Sequence, residues 1–214
     1  MLVMLVMHIL IKIMFLYLGQ GLANITPIFF NELRQSFLAT STPNTESCNN
    51  FWMTVSEKQV KFIVNLTSLE DQEGYGYYDD GEIKSEEEYW PFEGTKDLGN
   101  GLKIELLSTE KQGSVLKRYN FDIYLRVLDS IIFFSRKLSL FKKDKFIRDI
   151  VQISSLRFAG DDEKRNILRE ILQATLDHCS ASSSPIVVHS STGRGVTGVF
   201  IALFKLRDDF YNTG

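Results

Sequence analysis

The sequence IVVHSSTGRGVTG, residues 186–198, decides the fold of this chain. It begins, directly after Pro185, with a β-branched run from Ile186 to Val188, which predicts a buried strand. A loop of small residues follows from Ser190 to Gly195, and the apolar residues from Val196 onward predict a helix. A strand, a glycine-rich loop and a helix in this order direct backbone N–H groups and the positive end of the helix towards an anion.

The composition is that of one domain with a hydrophobic core. The chain has 214 residues, of which 44% are hydrophobic and 24% are charged. Its net charge of −3 gives no electrostatic reason to expect nucleic acid binding. Cys48 and Cys179 provide no disulfide framework, and the scattered histidines and the lack of a Cys-x-x-Cys spacing predict neither a metal site nor a cofactor.

Residues 1–23 form a hydrophobic leader, and residues 1–18 of it are almost wholly apolar. The leader has features of a signal peptide or a membrane anchor, but His8 and Lys12 lie in the middle of the apolar run, where a bilayer disfavours them. Residues 1–7 also lack the basic side chain of a signal peptide. The alternatives are a segment that packs on the domain, or a gene-prediction error. The sequence therefore leaves membrane association, and with it the cellular compartment, open.

Between the hydrophobic leader and the glycine-rich loop, the apolar patterns predict strands at residues 61–66, at residues 102–107 and from residue 150. A helix with Asn49 or Asn50 as its N-cap is expected to carry Phe51 and Trp52 as core residues. Residues 164–176 have an apolar 3.6-residue period, which predicts a second helix. Asp161 or Asp162 is expected to cap it. The acidic, tyrosine-rich residues 74–88 are interpreted as a solvated loop, and residues 131–134 as a further strand.

The loop resembles the phosphate-binding loop of the cysteine-dependent protein tyrosine phosphatases, whose pattern is His-Cys-x-x-Gly-x-x-Arg-Ser/Thr-Gly. His189, Gly193, Thr197 and Gly198 match this pattern. Ser190 replaces the nucleophilic cysteine, and Val196 replaces the arginine that clamps the phosphate. The resemblance implies a phosphate-binding loop made of His189, Ser190, Ser191, Thr192, Gly193, Arg194, Gly195, Val196 and Thr197.

Further segments resemble the same family and occur in the family's order. Residues 39–52 resemble "ATQGP…T…DFW", residues 61–66 resemble "V..IVMLT", and residues 89–91 are the family's "YWP". Residues from 150 onward resemble the segment that carries the general acid, "WPD", but Gly160 stands at the position of the aspartate. With Ser190, Val196 and Gly160 at the three reacting positions, no catalytic residue is expected.

The resemblance implies an α/β fold with a twisted mixed sheet flanked by helices, in a tyrosine-phosphatase-like domain over residues 37–214 that is incomplete at both ends. It predicts an inactive phosphatase-like protein that binds a partner, such as a phosphotyrosine protein or a kinase. Two alternatives stay open. One is an active tyrosine phosphatase of altered mechanism, using Ser190 or a shifted Asp161, and the other is a degenerate fragment without function.

Overall fold

The computed structural model describes residues 25–30, 35–66, 77–79, 82–84, 89–99, 102–112, 116–125, 146–153, 161–193 and 195–212. Within these ranges lie ten strands. They are β1 (Thr26–Phe29), β2 (Ser36–Ser41), β3 (Phe62–Asn65), β4 (Tyr77–Asp79), β5 (Glu82–Lys84), β6 (Thr95–Asp97), β7 (Leu102–Gln112), β8 (Leu116–Leu125), β9 (Phe146–Ile153) and β10 (Ile186–Ser190). The same ranges contain the helices α1 (Thr45–Glu57), α2 (Asp161–Ala181) and α3 (Val196–Asn212).

Eight strands form one mixed sheet in the order β1-β2-β10-β3-β9-β8-β7-β6. The four central strands β2, β10, β3 and β9 are parallel, and the flanking strands are antiparallel to their neighbours. The parallel strands at the centre of the sheet have helices on both faces, as is usual for parallel strands, which are buried on both sides. The predicted α/β class with a mixed sheet between helices is therefore confirmed.

Two hydrophobic clusters lie on the two faces of the sheet. Helices α2 and α3 cover one face, where Ile171 and Phe200 belong to the buried cluster and the Phe204 ring contacts Phe37 edge-on. Helix α1 covers the other face, where Trp52 packs with Tyr89 and Phe121. Phe51 and Trp52 are almost fully buried, which confirms their predicted place in the core.

Helix α1 begins five to six residues earlier than the sequence predicts. Its N-cap is Asn44, whose side chain accepts a hydrogen bond from the Ser47 backbone N–H at 3.0 Å. The Ser47 hydroxyl in turn accepts from the Asn44 backbone N–H, so the two residues form a capping box. The predicted caps Asn49 and Asn50 are wrong because the Asn44–Ser47 pair satisfies the first donors about one and a half turns earlier.

Three other local predictions have different outcomes. Helix α2 begins at Asp161, so Asp161 and Asp162 are its first two residues rather than the N-cap of a helix that starts later. The predicted loop at residues 74–88 is wrong in part, because β4 and β5 pair there as an antiparallel hairpin. Residues 131–134 lie outside the described residues.

The described ranges contain no helix that is long and apolar enough to cross a membrane. Residues 1–18, which the sequence analysis considers as a signal or an anchor, lie outside these ranges. The leader at 1–23 and the domain boundary at 37 therefore stay predictions.

Candidate functional site

The predicted loop follows a strand in the middle of the sheet. Strand β10 lies between β2 and β3, parallel to both, and its five residues are all buried. The hydrogen bonds between neighbouring strands continue beyond the strand ends. The Thr42 N–H donates to the Ser190 carbonyl at 2.9 Å, and the Leu66 N–H donates to the His189 carbonyl at 2.8 Å. The loop therefore leaves the sheet at the carboxyl edge of the parallel strands, where open α/β sheets place their ligands.

His189 is fully buried and is held by two side chains from other elements. A hydrogen bond of 2.6 Å joins the Tyr89 hydroxyl to Nε2 of His189, and Oγ1 of Thr42 lies 3.3 Å from Nδ1. The rings of Tyr89 and Phe51 also contact the imidazole edge-on. Both ring nitrogens thus have oxygen partners, and the imidazole is oriented by the protein interior rather than by solvent.

The sequence patterns assign no role to Tyr89 or Thr42. Tyr89 belongs to the "YWP" match, but it is 100 residues from His189 along the chain, and no local pattern predicts their contact. Thr42 precedes Pro43 in a segment interpreted only as a loop. The sequence signal for a contact of this kind is the Tyr89 hydroxyl, because the hydroxyl of a buried tyrosine usually has a hydrogen-bond partner.

Burial lowers the pKa of His189 from 6.5 to about 3, because the charged imidazolium is desolvated. The imidazole is therefore neutral at physiological pH. A neutral imidazole places no positive charge behind the loop and cannot lower the pKa of a neighbouring nucleophile by charge attraction.

This pKa shift predicts a stability loss in acid. The unfolded chain binds a proton at His189 near pH 6.5, whereas the folded chain binds it near pH 3, so stability is complete above 6.5 and falls between these values. The free energy of unfolding should fall with a slope of up to about 1.4 kcal/mol per pH unit from this group. Urea unfolding at a series of pH values measures the slope. His189→Gln, which cannot titrate, should lose that component, and an unchanged slope in this variant would contradict the assignment.

The Ser190 hydroxyl faces Thr197, not the histidine. Its Oγ lies 2.8 Å from Oγ1 of Thr197 in a buried hydrogen bond, and the two side chains are 7% and 0% exposed. Among the described residues, no carboxylate or imidazole is hydrogen-bonded to Oγ of Ser190. The structure thus brings the serine and the hydroxyl residue of the predicted loop together, but it supplies no base for the serine.

The backbone of the loop turns through two glycines in the left-handed region. Gly193 has a φ of 64° and Gly195 a φ of 42°, conformations that side chains with a Cβ rarely adopt. The Gly193 N–H donates to the Ser190 carbonyl at 3.0 Å, so this donor closes the turn instead of pointing at a ligand. Ser191 and Thr192 are exposed beside it, and Arg194 lies outside the described residues.

Helix α3 begins at Val196, and its first i to i−4 hydrogen bond runs from the Val199 N–H to the Gly195 carbonyl at 2.9 Å. The N–H groups of residues 196–198 precede that bond and have no carbonyl within the helix to donate to. The Val196 side chain, at the position of the family's arginine, is 48% exposed. The helix N-terminus thus retains the backbone donors for an anion, without a cationic side chain at Val196.

The third reacting position, Gly160, lies outside the described residues, immediately before α2. The described residues contain no cluster of three or more histidine, cysteine, aspartate or glutamate side chains that is suited to a metal ion.

A cavity of about 380 Å³ lies at the same sheet edge, between the end of β2 and the start of α1. No pattern in the sequence predicts this cavity. Its lining consists mostly of small polar residues around the α1 N-terminus, Thr40, Ser41, Thr42, Asn44, Ser47 and Asn50, with Ile25 and Phe51 as apolar members. Thr42 also contacts His189, so one residue of the cavity lining adjoins the start of the loop.

A family model described as protein-tyrosine phosphatase matches residues 23–211. The rat (Rattus norvegicus) receptor-type tyrosine-protein phosphatase epsilon is 27% identical over 186 residues, which cover 83% of this chain and 23% of that protein. The probable tyrosine phosphatase protein H4 of Microplitis demolitor bracovirus is 27% identical over 178 residues, covering 81% of this chain and 88% of that protein. The chain thus spans about a quarter of the receptor-type relative.

Two solved structures share the fold. The Trypanosoma cruzi protein tyrosine phosphatase TcPTP1 superimposes with a TM-score of 0.67 at 19% identity, over 89% of this chain and 59% of that chain. The Trypanosoma brucei phosphatase TbPTP1 does so with a TM-score of 0.67 at 24% identity, over 89% of this chain and 60% of that chain.

Proposed function

Because this chain belongs to the protein-tyrosine phosphatase family, whose model matches residues 23–211, we propose that it is a tyrosine-phosphatase-like protein without phosphatase activity. In this proposal it acts by binding, with the loop at residues 189–197 as a site for a phosphorylated tyrosine of a partner protein. The observation that carries the proposal is the environment of Ser190, whose hydroxyl is hydrogen-bonded to Thr197 and, within the described part of the chain, to no carboxylate or imidazole.

Hydrolysis at a loop of this kind needs a nucleophile that is ionised at neutral pH. A cysteine thiol is readily converted into a thiolate, and the helix N-terminus assists this conversion. A serine hydroxyl is far less acidic and needs an adjacent base instead. His189 is not that base, because both its nitrogens contact Tyr89 and Thr42 on other elements and burial keeps its pKa near 3.

The transition state also needs charge stabilisation and a proton for the leaving oxygen. An arginine fork would stabilise the phosphoryl oxygens through paired, charge-assisted hydrogen bonds, and the aliphatic Val196 makes none. Gly160 has no side chain with which to protonate the departing tyrosine oxygen. Each loss alone slows catalysis by orders of magnitude, and together they remove the nucleophile, the clamp and the acid.

Binding of a phosphoryl group makes smaller demands than its hydrolysis. The first N–H groups of α3 and the positive end of the helix macrodipole favour an anion at residues 196–198. The Thr40–Asn44 segment and its cavity adjoin the loop and offer room for the residues around the phosphotyrosine. Without an arginine at position 196 there is no clamp of paired, charge-assisted hydrogen bonds at that position, so the expected affinity is modest.

Two measurements on the full chain test this function. In the first, release of the phenol from an aryl phosphate should not exceed the rate in buffer, and Ser190→Ala should show the same rate. Hydrolysis that is measurable in the natural chain and lost in Ser190→Ala would establish an active enzyme of altered mechanism instead.

The second measurement is a calorimetric titration with a phosphotyrosine peptide, beside the same peptide carrying unmodified tyrosine. We expect tighter binding of the phosphorylated peptide and competition by inorganic phosphate. Equal binding of both peptides would show that the loop is only a structural element, and it would leave the conclusion on catalysis untouched.

A further inference from the structure

A polar cavity lies beside the candidate site, between the end of β2 and the start of α1. Its volume of about 380 Å³ falls within the range of ligand pockets, roughly 300 to 1,000 Å³, and it is called the β2–α1 cavity below. Thr42 lines it and also reaches the loop, because its N–H donates to the Ser190 carbonyl at 2.9 Å. One wall of the cavity is thus a single strand spacing, about 5 Å, from the start of the loop.

The Thr42 hydroxyl offers a hydrogen-bond donor at this wall. The 2.6 Å between the Tyr89 hydroxyl and Nε2 of His189 is short for an N–H donor, so the phenol donates to the imidazole. Nδ1 of the neutral imidazole then carries the ring proton and donates to Oγ1 of Thr42 at 3.3 Å. The Thr42 hydroxyl therefore keeps its own hydrogen for another acceptor, such as the main-chain carbonyl of a bound peptide.

The solvent side of the cavity carries a carboxylate. Glu46 lies in the first turn of α1, is exposed, and has no hydrogen bond or ion pair within the described part of the chain. Among the described residues that line the cavity, it is the only charged one. The positive end of the α1 macrodipole lies at the same place, but it corresponds to about half an elementary charge, whereas the carboxylate carries a full one. The solvent side of the cavity therefore favours a cation.

We propose that the β2–α1 cavity binds a residue of the partner protein beside its phosphotyrosine, and that Glu46 selects lysine or arginine there. This inference rests on the proposed function, in which the loop holds the phosphotyrosine. The main-chain carbonyl of the selected residue accepts a hydrogen bond from the Thr42 hydroxyl, and its basic group pairs with Glu46. The long apolar stem of lysine or arginine suits the apolar part of the lining, which consists of Ile25 and Phe51.

Calorimetric titration of the full chain with five phosphotyrosine peptides tests this selection. The parent peptide has glutamine at the two positions before and the two positions after the phosphotyrosine. Each of the other four peptides has arginine at one of these positions. We expect at least one arginine peptide to bind about threefold to tenfold more tightly than the parent, because it gains a charge-assisted hydrogen bond in a partly enclosed site. All five peptides are also measured without the phosphate.

Substitutions at Glu46 separate selection in the cavity from a structural effect. Glu46→Gln should bring the affinity ratio between the arginine peptide and the parent close to one. Glu46→Arg should reverse the preference, so that glutamate at the same peptide position binds more tightly than arginine, which a merely structural role of Glu46 would not cause. Glu57→Gln is the matched control, because Glu57 is exposed at the other end of α1, about 16 Å along the helix, and its loss should keep the ratio.

The outcomes distinguish this inference from the proposed function. If phosphorylation strengthens binding but every arginine peptide binds like the parent, the selection by Glu46 is refuted and the proposed function stands. Equal losses of the arginine preference in Glu46→Gln and Glu57→Gln would also refute the selection, because net charge would then attract the peptide. If the phosphorylated and unphosphorylated forms of each peptide bind equally, the proposed function fails, and the pairing of the cavity with a phosphotyrosine fails with it.

Discussion

Val196→Arg should strengthen the binding of a phosphotyrosine peptide by roughly tenfold to a hundredfold, the largest effect on binding that a single side chain offers here. The substituted residue is the first of α3, directly after the loop, and its side chain is half exposed, so an arginine fits without disturbing the core. Its guanidinium would add two charge-assisted hydrogen bonds to the phosphoryl oxygens, beside the helix N-terminus. Titration calorimetry with the phosphorylated peptide measures the gain.

Val199→Arg is the matched control for this prediction. Val199 is 44% exposed and lies one turn further along the same helix, so it receives the same charge at a greater distance from the loop. We expect at most a small, salt-sensitive gain from it. Equal gains from both substitutions would show that net charge, not a clamp at the loop, attracts the peptide.

Trp52→Ala should lower the free energy of unfolding by about 3 to 5 kcal/mol, the largest stability effect that we expect from one residue. Trp52 is fully buried and contacts the rings of Phe51, Tyr89 and Phe121. Its Nε1 donates a hydrogen bond of 2.8 Å to the Tyr89 carbonyl, which fixes the residue that holds His189. The truncation therefore leaves a cavity, and the Tyr89 carbonyl loses its stronger donor and keeps only the weak thiol donor of Cys48 at 3.5 Å.

Urea unfolding measures this loss, and Met53→Ala is the control. Met53 follows Trp52 on α1 but is 41% exposed, so its truncation should change stability by less than about 0.5 kcal/mol. If Trp52→Ala fails to fold, Trp52→Phe keeps most of the buried volume and should show a smaller loss. A Trp52→Phe variant as stable as the natural chain would contradict the importance of the indole and its hydrogen bond.

The sequence patterns predict those strands and helices that depend mainly on the residues within them. The β-branched run at Ile186–Val188 predicted β10, because a continuous apolar run suits a strand that is buried on both sides. The 3.6-residue period after Asp161 predicted α2, and its members Ile167 and Ile171 are buried. The predicted start of α1 is wrong, because several polar residues from Asn44 to Asn50 can each cap a helix, and only the structure shows that Asn44 and Ser47 form the capping box.

The same distinction holds in the candidate site, between residues adjacent in the sequence and residues that only the fold brings together. The residue identities alone show that serine and valine stand where the family has its nucleophile and its clamp, because these positions are fixed within one loop. Only the tertiary structure brought Tyr89 and Thr42 to the two nitrogens of His189, from 100 and 147 residues away. It also decided that His189 is neutral and that Ser190 faces Thr197, because burial and hydrogen-bond direction depend on how the sheet and helices pack around the loop.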